Sequence, residues 1–351
     1  MIVGTRPEII KMSPIIRELE KREINYFVLH TGQHYSYNLD RLLFEELQLR
    51  YPKYNIHVGS GSHAEETAKI LVGVEAILQK ENPDVVLVEG DTSSVLGSAV
   101  SAAKLHIKVG HVEAGLRSYD RRMPEEINRI LADHCSDYLF APTKKAENNL
   151  IGEGIPKEKV FVTGNTIVDA VQQNLGIAKS KGNILNMLHY LPKMYGLVTL
   201  HRQENVDDAD RFKSILKGLN RISINLPLLY PIHPRARKMM AEYSLSAGNI
   251  ELVEPFGFLE FLQLESKAKL VLTDSGGVQE ESCVMNVPCV TLRDNTERPE
   301  TIDVGANILA GAMPDVIYES ANIMMNRDNH WLNPFGDGKA GEKIVEILTG
   351  S

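Results

Sequence analysis

Short apolar runs, each closing on a small polar cluster, recur along the chain and alternate with amphipathic stretches of helical period. In order, Met1–Val3, Tyr26–His30, Asn55–Val58, Asp84–Glu89, Lys108–His111, Tyr138–Phe140 and Val160–Val162 predict strands. Helices are predicted over Ile9–Lys21, from Ala64 to about Gln79, after Ser94, and from Pro124 onward. The run DVVLVE reads as a buried parallel strand, because both of its faces are apolar. Six βα units in about 165 residues predict one doubly wound domain.

A polar helical region, Asn165–Leu191, then leads to a second series of the same kind. Its strands are predicted at Tyr195–Leu200, Leu228–Ile232, Ile250–Leu252, Leu270–Thr273 and Pro288–Leu292, with helices at Ala209–Arg221 and after Gly277. The fold class expected is α/β, with two Rossmann-like doubly wound domains facing a cleft. Residues 1–166 form the first domain, 167–335 the second, and a last helix within 336–351 returns to the first.

Composition narrows the classes. Of 351 residues 43% are hydrophobic and 24% charged, which fits a soluble globular protein of two ordinary domains. A net charge of −8 argues against sequence-independent nucleic-acid binding, so any anionic ligand must be held by local arginines and helix N-termini. Cys135, Cys283 and Cys289 show neither metal spacing nor a pairing pattern, as expected of a reducing cytoplasm. No apolar run approaches the roughly 20 residues of a membrane span. The first strand is only three residues long, as though the start were clipped.

Candidate chemistry gathers where strands run into helices, the edge at which open α/β sheets bind ligands. The densest stretch is His111–Arg129, which sets Glu113, Asp120, Glu125 and Glu126 beside Arg117, Arg121, Arg122 and Arg129. Pro124 fits the first position of a helix, Glu125 its first turn, and Arg129 lies four residues further on the same face. A solvated, salt-bridged loop is the competing reading. Asp91 ends a buried strand before helix-start hydroxyls, with an N-cap as its alternative. Arg6 and Lys11 occupy the first turns of the first helix, where an anion would be held. Gln33 and His34 form a polar loop after the second strand.

In the second series Ser275-Gly276-Gly277 lies directly between a buried strand and a helix. Such glycines let a diphosphate approach exposed N–H groups at the positive end of a helix dipole. Glu281 could accept ribose hydroxyls, Arg298 could clamp phosphate, and Phe256 and Phe261 could stack on a base; for Phe258 core packing is preferred. Gly59–Ala64 matches G-x-G-x-x-A, but the strand before it is short and polar, so it reads as a flexible connection rather than a dinucleotide site.

GTRPEIIKM, GDTSS, HVEAGLRS, PEEINR, TLHRQEN, TDSGGVQEES and RDNTERPE run in this order from Gly4 to about Gly305. Together they resemble the non-hydrolysing UDP-N-acetylglucosamine 2-epimerases. The resemblance implies a fold of the GT-B type, a homodimer, and interconversion of UDP-N-acetylglucosamine and UDP-N-acetylmannosamine for surface polysaccharide or glycoconjugate synthesis. It implies elimination of UDP to a 2-acetamidoglucal and readdition, with no NAD and no metal. Asp91, Glu113 and Glu125 are implied in proton transfer, without a division of base from acid. His201 and Arg298 would stabilise the departing diphosphate with Arg6 and Lys11, and Arg129 would orient Glu125. Gln33, His34, Arg202 and His233 match a pocket for a second UDP-N-acetylglucosamine acting as activator. Here Tyr-Ser-Tyr-Asn follows Gln33-His34, and HRQEN replaces the commoner HRREN.

Other classes remain distinguishable. A glycosyltransferase of the same fold would need an acceptor, and a hydrolysing epimerase would release free N-acetylmannosamine. A non-catalytic nucleotide-sugar regulator would tolerate loss of Glu113, and an NAD enzyme would bind nicotinamide.

Overall fold

The structure is a computed structural model that describes residues 1–32 and 37–350, with the side chains of 37–40 excepted. Gln33 and His34 therefore lie outside the described residues. The chain divides into two compact units, Met1–Gln173 with Phe335–Ser351, and Asn174–Pro334. The helix Thr166–Ser180 runs through the division, so the boundary falls inside that helix and not at its first residue.

In the first unit the strands are β1 (Ile2–Val3), β2 (Leu29–His30), β3 (Tyr54–Asn55), β4 (Val85–Glu89), β5 (Lys108–Val112), β6 (Tyr138–Ala141) and β7 (Val160–Val162). Parallel ladders join β1 to β2 to β3, and β4 to β5 to β6 to β7, while β1 lies beside β4. The spatial order is thus 3-2-1-4-5-6-7. Its direction of winding reverses between β1 and β4, and the loops leaving those two strands carry Gly4-Thr5-Arg6 and Gly90-Asp91-Thr92.

The second unit repeats the arrangement with β8 (Gly196–Thr199), β9 (Leu228–Pro231), β10 (Glu251–Val253), β11 (Leu270–Thr273), β12 (Cys289–Thr291) and β13 (Asn307–Leu309). The sheet order is β10-β9-β8-β11-β12-β13, and every recorded pairing is parallel. Alternate residues of one strand enter different cores: Leu270 and Leu272 join Phe212, Tyr230 and Ile317, whereas Val271 joins Tyr195, Leu229 and Cys289. A sheet buried on both faces explains why these strands read as continuous apolar runs. Both units are Rossmann-like doubly wound α/β folds, as the strand and helix series predicts.

The C-terminal helix Ala340–Thr349 belongs to the first unit. Asp169 accepts the N–H groups of Ala340 at 3.2 Å and Gly341 at 2.9 Å, which satisfies the helix's otherwise unpaired first donors. Elements that were not predicted include the helices Tyr37–Glu46, Pro234–Glu242, Phe258–Lys267 and Pro314–Met325 and the three-residue β13. Gly59–Ala64 is more ordered than the flexible connection expected. Its Ser62 caps the helix His63–Glu81 in a capping box with Glu65. Among the described residues no helix is long and apolar enough to cross a membrane.

Close packing at the β1–β4 reversal depends on one glycine. A Cβ on Gly4 would lie 2.0 Å from Ser94 Oγ and 2.4 Å from Thr31 Oγ1, two hydroxyls that hydrogen-bond each other at 2.7 Å. Gly4→Ala is expected to cost about 2–3 kcal/mol through this overpacking, read as a lower urea midpoint at unchanged m-value. Adding Ser94→Ala should recover only part of the loss, because Thr31 remains in the way.

Candidate active site

The first unit places its functional side chains on the loops leaving β1, β4 and β5 and on the two helices that follow. Lys11 lies in the second turn of the helix Arg6–Lys21 and is buried. Its Nζ donates to Glu113 Oε1 at 2.5 Å and stands 3.6 Å from Glu89 Oε1. Asn165 Nδ2 reaches the same Glu113 oxygen at 3.2 Å. Glu113 immediately follows β5 with φ of +69°, a left-handed backbone that is unusual for a residue with a Cβ. Such conformations persist where the surroundings over-determine them, and they cluster at functional positions. The resemblance sends Lys11 to a departing diphosphate. In the structure its buried ammonium is paired with Glu113.

Asp91 follows β4 but does not cap the next helix; Thr92 does, accepting the Val95 N–H. Asp91 is free for another task, and its carboxylate pairs with Arg129. Arg129 also reaches Glu126 at 3.0 Å, so its partners are Asp91 and Glu126 and not the expected Glu125. On a helix both the third and fourth neighbours share a face, and spacing alone does not choose between them. Glu126 is buried and accepts the N–H groups of Ser118 and Tyr119, each at 2.9 Å, which locks the preceding loop. Glu125 stays partly exposed in the first turn, as expected, beside the same loop.

Two arginines of that loop are paired. Arg117 is buried and pairs with Asp133 at 2.7 Å and Glu153 at 2.6 Å, while Arg122 pairs with Asp120 at the surface. Asp133 also holds His111, whose Nδ1 lies 2.7 Å away. The other ring nitrogen, Nε2, is 2.8 Å from the Gly90 carbonyl. Both partners only accept, so the ring carries two protons and donates twice. Burial works against that charge, but Asp133 prevails and the His111 pKa is raised. The imidazolium thereby ties β5 to the residue before Asp91.

In the second unit the loops leaving β8, β9, β11 and β12 gather the remaining candidates. Asp274, buried at the end of β11, organises them. It accepts the backbone N–H groups of His201 at 3.1 Å and Arg202 at 3.0 Å, and its Oδ1 lies 3.2 Å from His201 Nδ1. Burial opposes its charge, yet the hydrogen bonds from His201, Arg202 and Asn205 hold its pKa below the usual value. His201 itself is exposed. Its ring centre is 5.8 Å from that of His233, which caps the helix Pro234–Glu242 and has its pKa lowered by burial and by the charges of His201 and Arg235.

Ser275 starts the helix Gly276–Val284 without capping it, so that helix's first N–H groups have no side-chain cap. A Cβ on Gly277 would meet nothing within 4 Å, which marks the open approach an anion needs, whereas one on Gly276 would lie 2.8 Å from Glu297. Arg298 is buried, 2.9 Å from Glu280 and 3.5 Å from Glu297, so carboxylates set the orientation of its guanidinium. Arg202 also reaches Glu297, at 3.6 Å. Glu281 is buried on the same helix, next to Glu265. Phe256 and Phe261 are half-buried against Leu264 and Val278, and Phe258 is a core residue as preferred.

These two clusters carry the residues of the motifs in a definite geometry. The model of the UDP-N-acetylglucosamine 2-epimerase family matches residues 17–349. The chain belongs to this family. The UDP-N-acetylglucosamine 2-epimerase of Methanocaldococcus jannaschii is 55% identical over 99% of this chain and 98% of its own length. That of Methanococcus maripaludis is 52% identical over 100% and 98%. A crystal structure of the Methanocaldococcus enzyme in complex with UDP-GlcNAc and UDP superposes with a TM-score of 0.94, at 55% identity over 100% of this chain and 99% of that one.

Sequence reasoning did not assign a supporting role to the residues that hold the family's motif residues in place: Glu8, Glu89, His111, Glu126, Asp133 and Asp274. Glu8 is the clearest case. It accepts Gly4 N–H at 2.5 Å, Thr5 Oγ1–H at 3.0 Å and Thr92 Oγ1–H at 2.7 Å, and so joins the β1 and β4 loops. Thr5, at the N-cap position of the first helix, spends its hydroxyl on this carboxyl and does not cap. Burial raises the Glu8 pKa to about 7 against those hydrogen bonds. The unfolded chain ionises Glu8 near 4.5, so stability from this group is full below that pH and falls as pH rises through 7. Glu8→Gln should remove on the order of 3 kcal/mol of that fall between pH 4.5 and 8. Urea denaturation of both proteins across this range measures it. The readout is the slope with pH, because the amide changes the bond to Gly4 at every pH; parallel slopes would refute the assignment.

Proposed function

We propose that this chain is a non-hydrolysing UDP-N-acetylglucosamine 2-epimerase that interconverts UDP-N-acetylglucosamine and UDP-N-acetylmannosamine. The observation that carries the reading is the full-length 55% identity to an enzyme of that name, joined to a carboxylate cluster around Lys11 and Arg129. Carbon 2 of the sugar is not next to a carbonyl, so its proton is hard to remove directly. Loss of UDP as that proton leaves avoids the difficulty and yields 2-acetamidoglucal; protonation of the other face and readdition of UDP invert carbon 2. The scheme calls for a base, an acid and donors to the departing diphosphate.

Asp91, Glu113 and Glu125 take the proton-transfer roles. Arg129 and Lys11 keep two of them oriented, since a carboxylate paired to a buried cation has one favoured rotamer. In the second unit the N–H groups of Gly276 and Gly277, beside Ser275, receive the diphosphate, and His201 donates to it. Arg298, already fixed by Glu280 and Glu297, completes the second unit's anion site, and Arg6, half-buried at the start of its helix, is the first unit's candidate anion-binding cation. Glu281 takes the ribose hydroxyls, and Phe256 and Phe261 present partly exposed rings to the base. A homodimer belongs to this reading, as does an activating second UDP-N-acetylglucosamine held by Gln33, His34, Arg202 and His233.

Proton NMR of the protein with UDP-N-acetylglucosamine in heavy water tests the reaction. The expected product is UDP-N-acetylmannosamine with deuterium at carbon 2; free N-acetylmannosamine with UDP, or an unchanged spectrum, would overturn it. Glu113→Gln and Asp91→Asn should each lower kcat by at least about a hundredfold. Both should still bind UDP in calorimetry, and wild-type rates from both would sink the proton-transfer assignment.

A further inference from the structure

Beside Glu113 lies a second buried carboxyl that the scheme does not use. Glu89 is the last residue of β4 and only 2% exposed, and its carboxyl and that of Glu113 flank the same buried ammonium, 3.6 Å and 2.5 Å from Lys11 Nζ. Two buried carboxyls that share one ammonium cannot both ionise without leaving a negative charge unmatched, which favours one proton held by the pair. The buried cation here is Lys11, and its Nζ is 2.5 Å from Glu113 but 3.6 Å from Glu89 Oε1, beyond hydrogen-bonding range. That Glu89 oxygen is fully buried with no hydrogen-bond partner among the described residues, a position a neutral acid tolerates far better than an anion.

We propose that Glu89 is a positioning residue for the epimerase reaction, a buried acid that shares one proton with Glu113 and thereby fixes that carboxylate's orientation and protonation state. The proposal rests on Glu113 acting in proton transfer. Glu113 Oε1 is occupied by Lys11 and Asn165, so the proton shared with Glu89 supplies the further contact that keeps the side chain aimed. Other charged groups around Glu89 work in the same direction or lie behind it. Glu8, on the helix Arg6–Lys21, adds negative charge, and burial with Glu113 beside it raises the Glu89 pKa well above the usual value against the pull of Lys11. His111, on β5, spends its two protons on Asp133 and on the Gly90 carbonyl next to Glu89. Asp91, two residues on, faces Arg129.

Two substitutions separate a shared proton from a plain salt bridge. Glu89→Gln retains a neutral donor and should lower kcat by about threefold to tenfold. Glu89→Ala removes the donor and should lower it by about a hundredfold, each with KM within about twofold. The wild-type kcat should fall at alkaline pH as the pair loses its proton, and this limb should vanish in Glu89→Gln. Equal losses in the two variants, or an unchanged alkaline limb, would refute the proposal. Neutron diffraction from wild-type crystals reads the same point without a variant and without turnover. A deuteron between the two carboxyls is expected, and its absence would refute the shared proton even if epimerisation is confirmed. Conversely, failure of the epimerase assay would leave a located deuteron standing.

Discussion

The ammonium of Lys11 is the charge around which the first unit's chemistry is arranged. It arrives on a helix that starts after β1, and it meets carboxylates that arrive at the ends of β4 and β5. In a low-dielectric interior an unpaired cation or anion is too costly to keep, so each partner compels the others to be where they are. Removing Lys11 or Glu113 leaves a buried charge unmatched. The same demand recurs a few ångströms away, where Arg129 is matched by Asp91 and Glu126, and Arg117 by Asp133 and Glu153. The carboxylates proposed for proton transfer are thus embedded in a lattice of fixed countercharges, which suits groups that must move protons without moving themselves.

The topology makes such a lattice affordable. Both units wind in the order 3-2-1-4, and in both the loops that diverge at the reversal carry the polar residues. In the first unit Glu8 bridges the two loops; in the second Asp274 does so, collecting the N–H groups after β8 onto the end of β11. One buried acid per unit, each satisfied by backbone and hydroxyl donors, ties together chain segments far apart in sequence. Local strain is concentrated nearby: Glu113 holds a left-handed backbone, and Gly4 leaves no room for a methyl group.

Much of this protein was written in the sequence. The two series of apolar runs identify an α/β fold because a strand buried on both faces has no polar positions to lose, and β4 and β11 were legible almost residue by residue. Seven motifs in order identify the family, and they name Asp91, Glu113, Arg129 and Ser275–Gly277. Elements with too few residues to show a period, such as β13, were not legible. Neither was the partner of Arg129, because spacing on a helix leaves both Glu125 and Glu126 within reach.

What only the tertiary structure decided is which charge faces which. Lys11 and Glu113 are 102 positions apart, and Arg129 and Asp91 are 38 apart. No local pattern encodes these pairs, because they are set by the order in which parallel strands assemble. The sequence determines that acids and bases stand at the strand ends. The sheet order determines that Glu89 stands against Glu113, a contact that turns the last residue of an apolar strand into a member of the site.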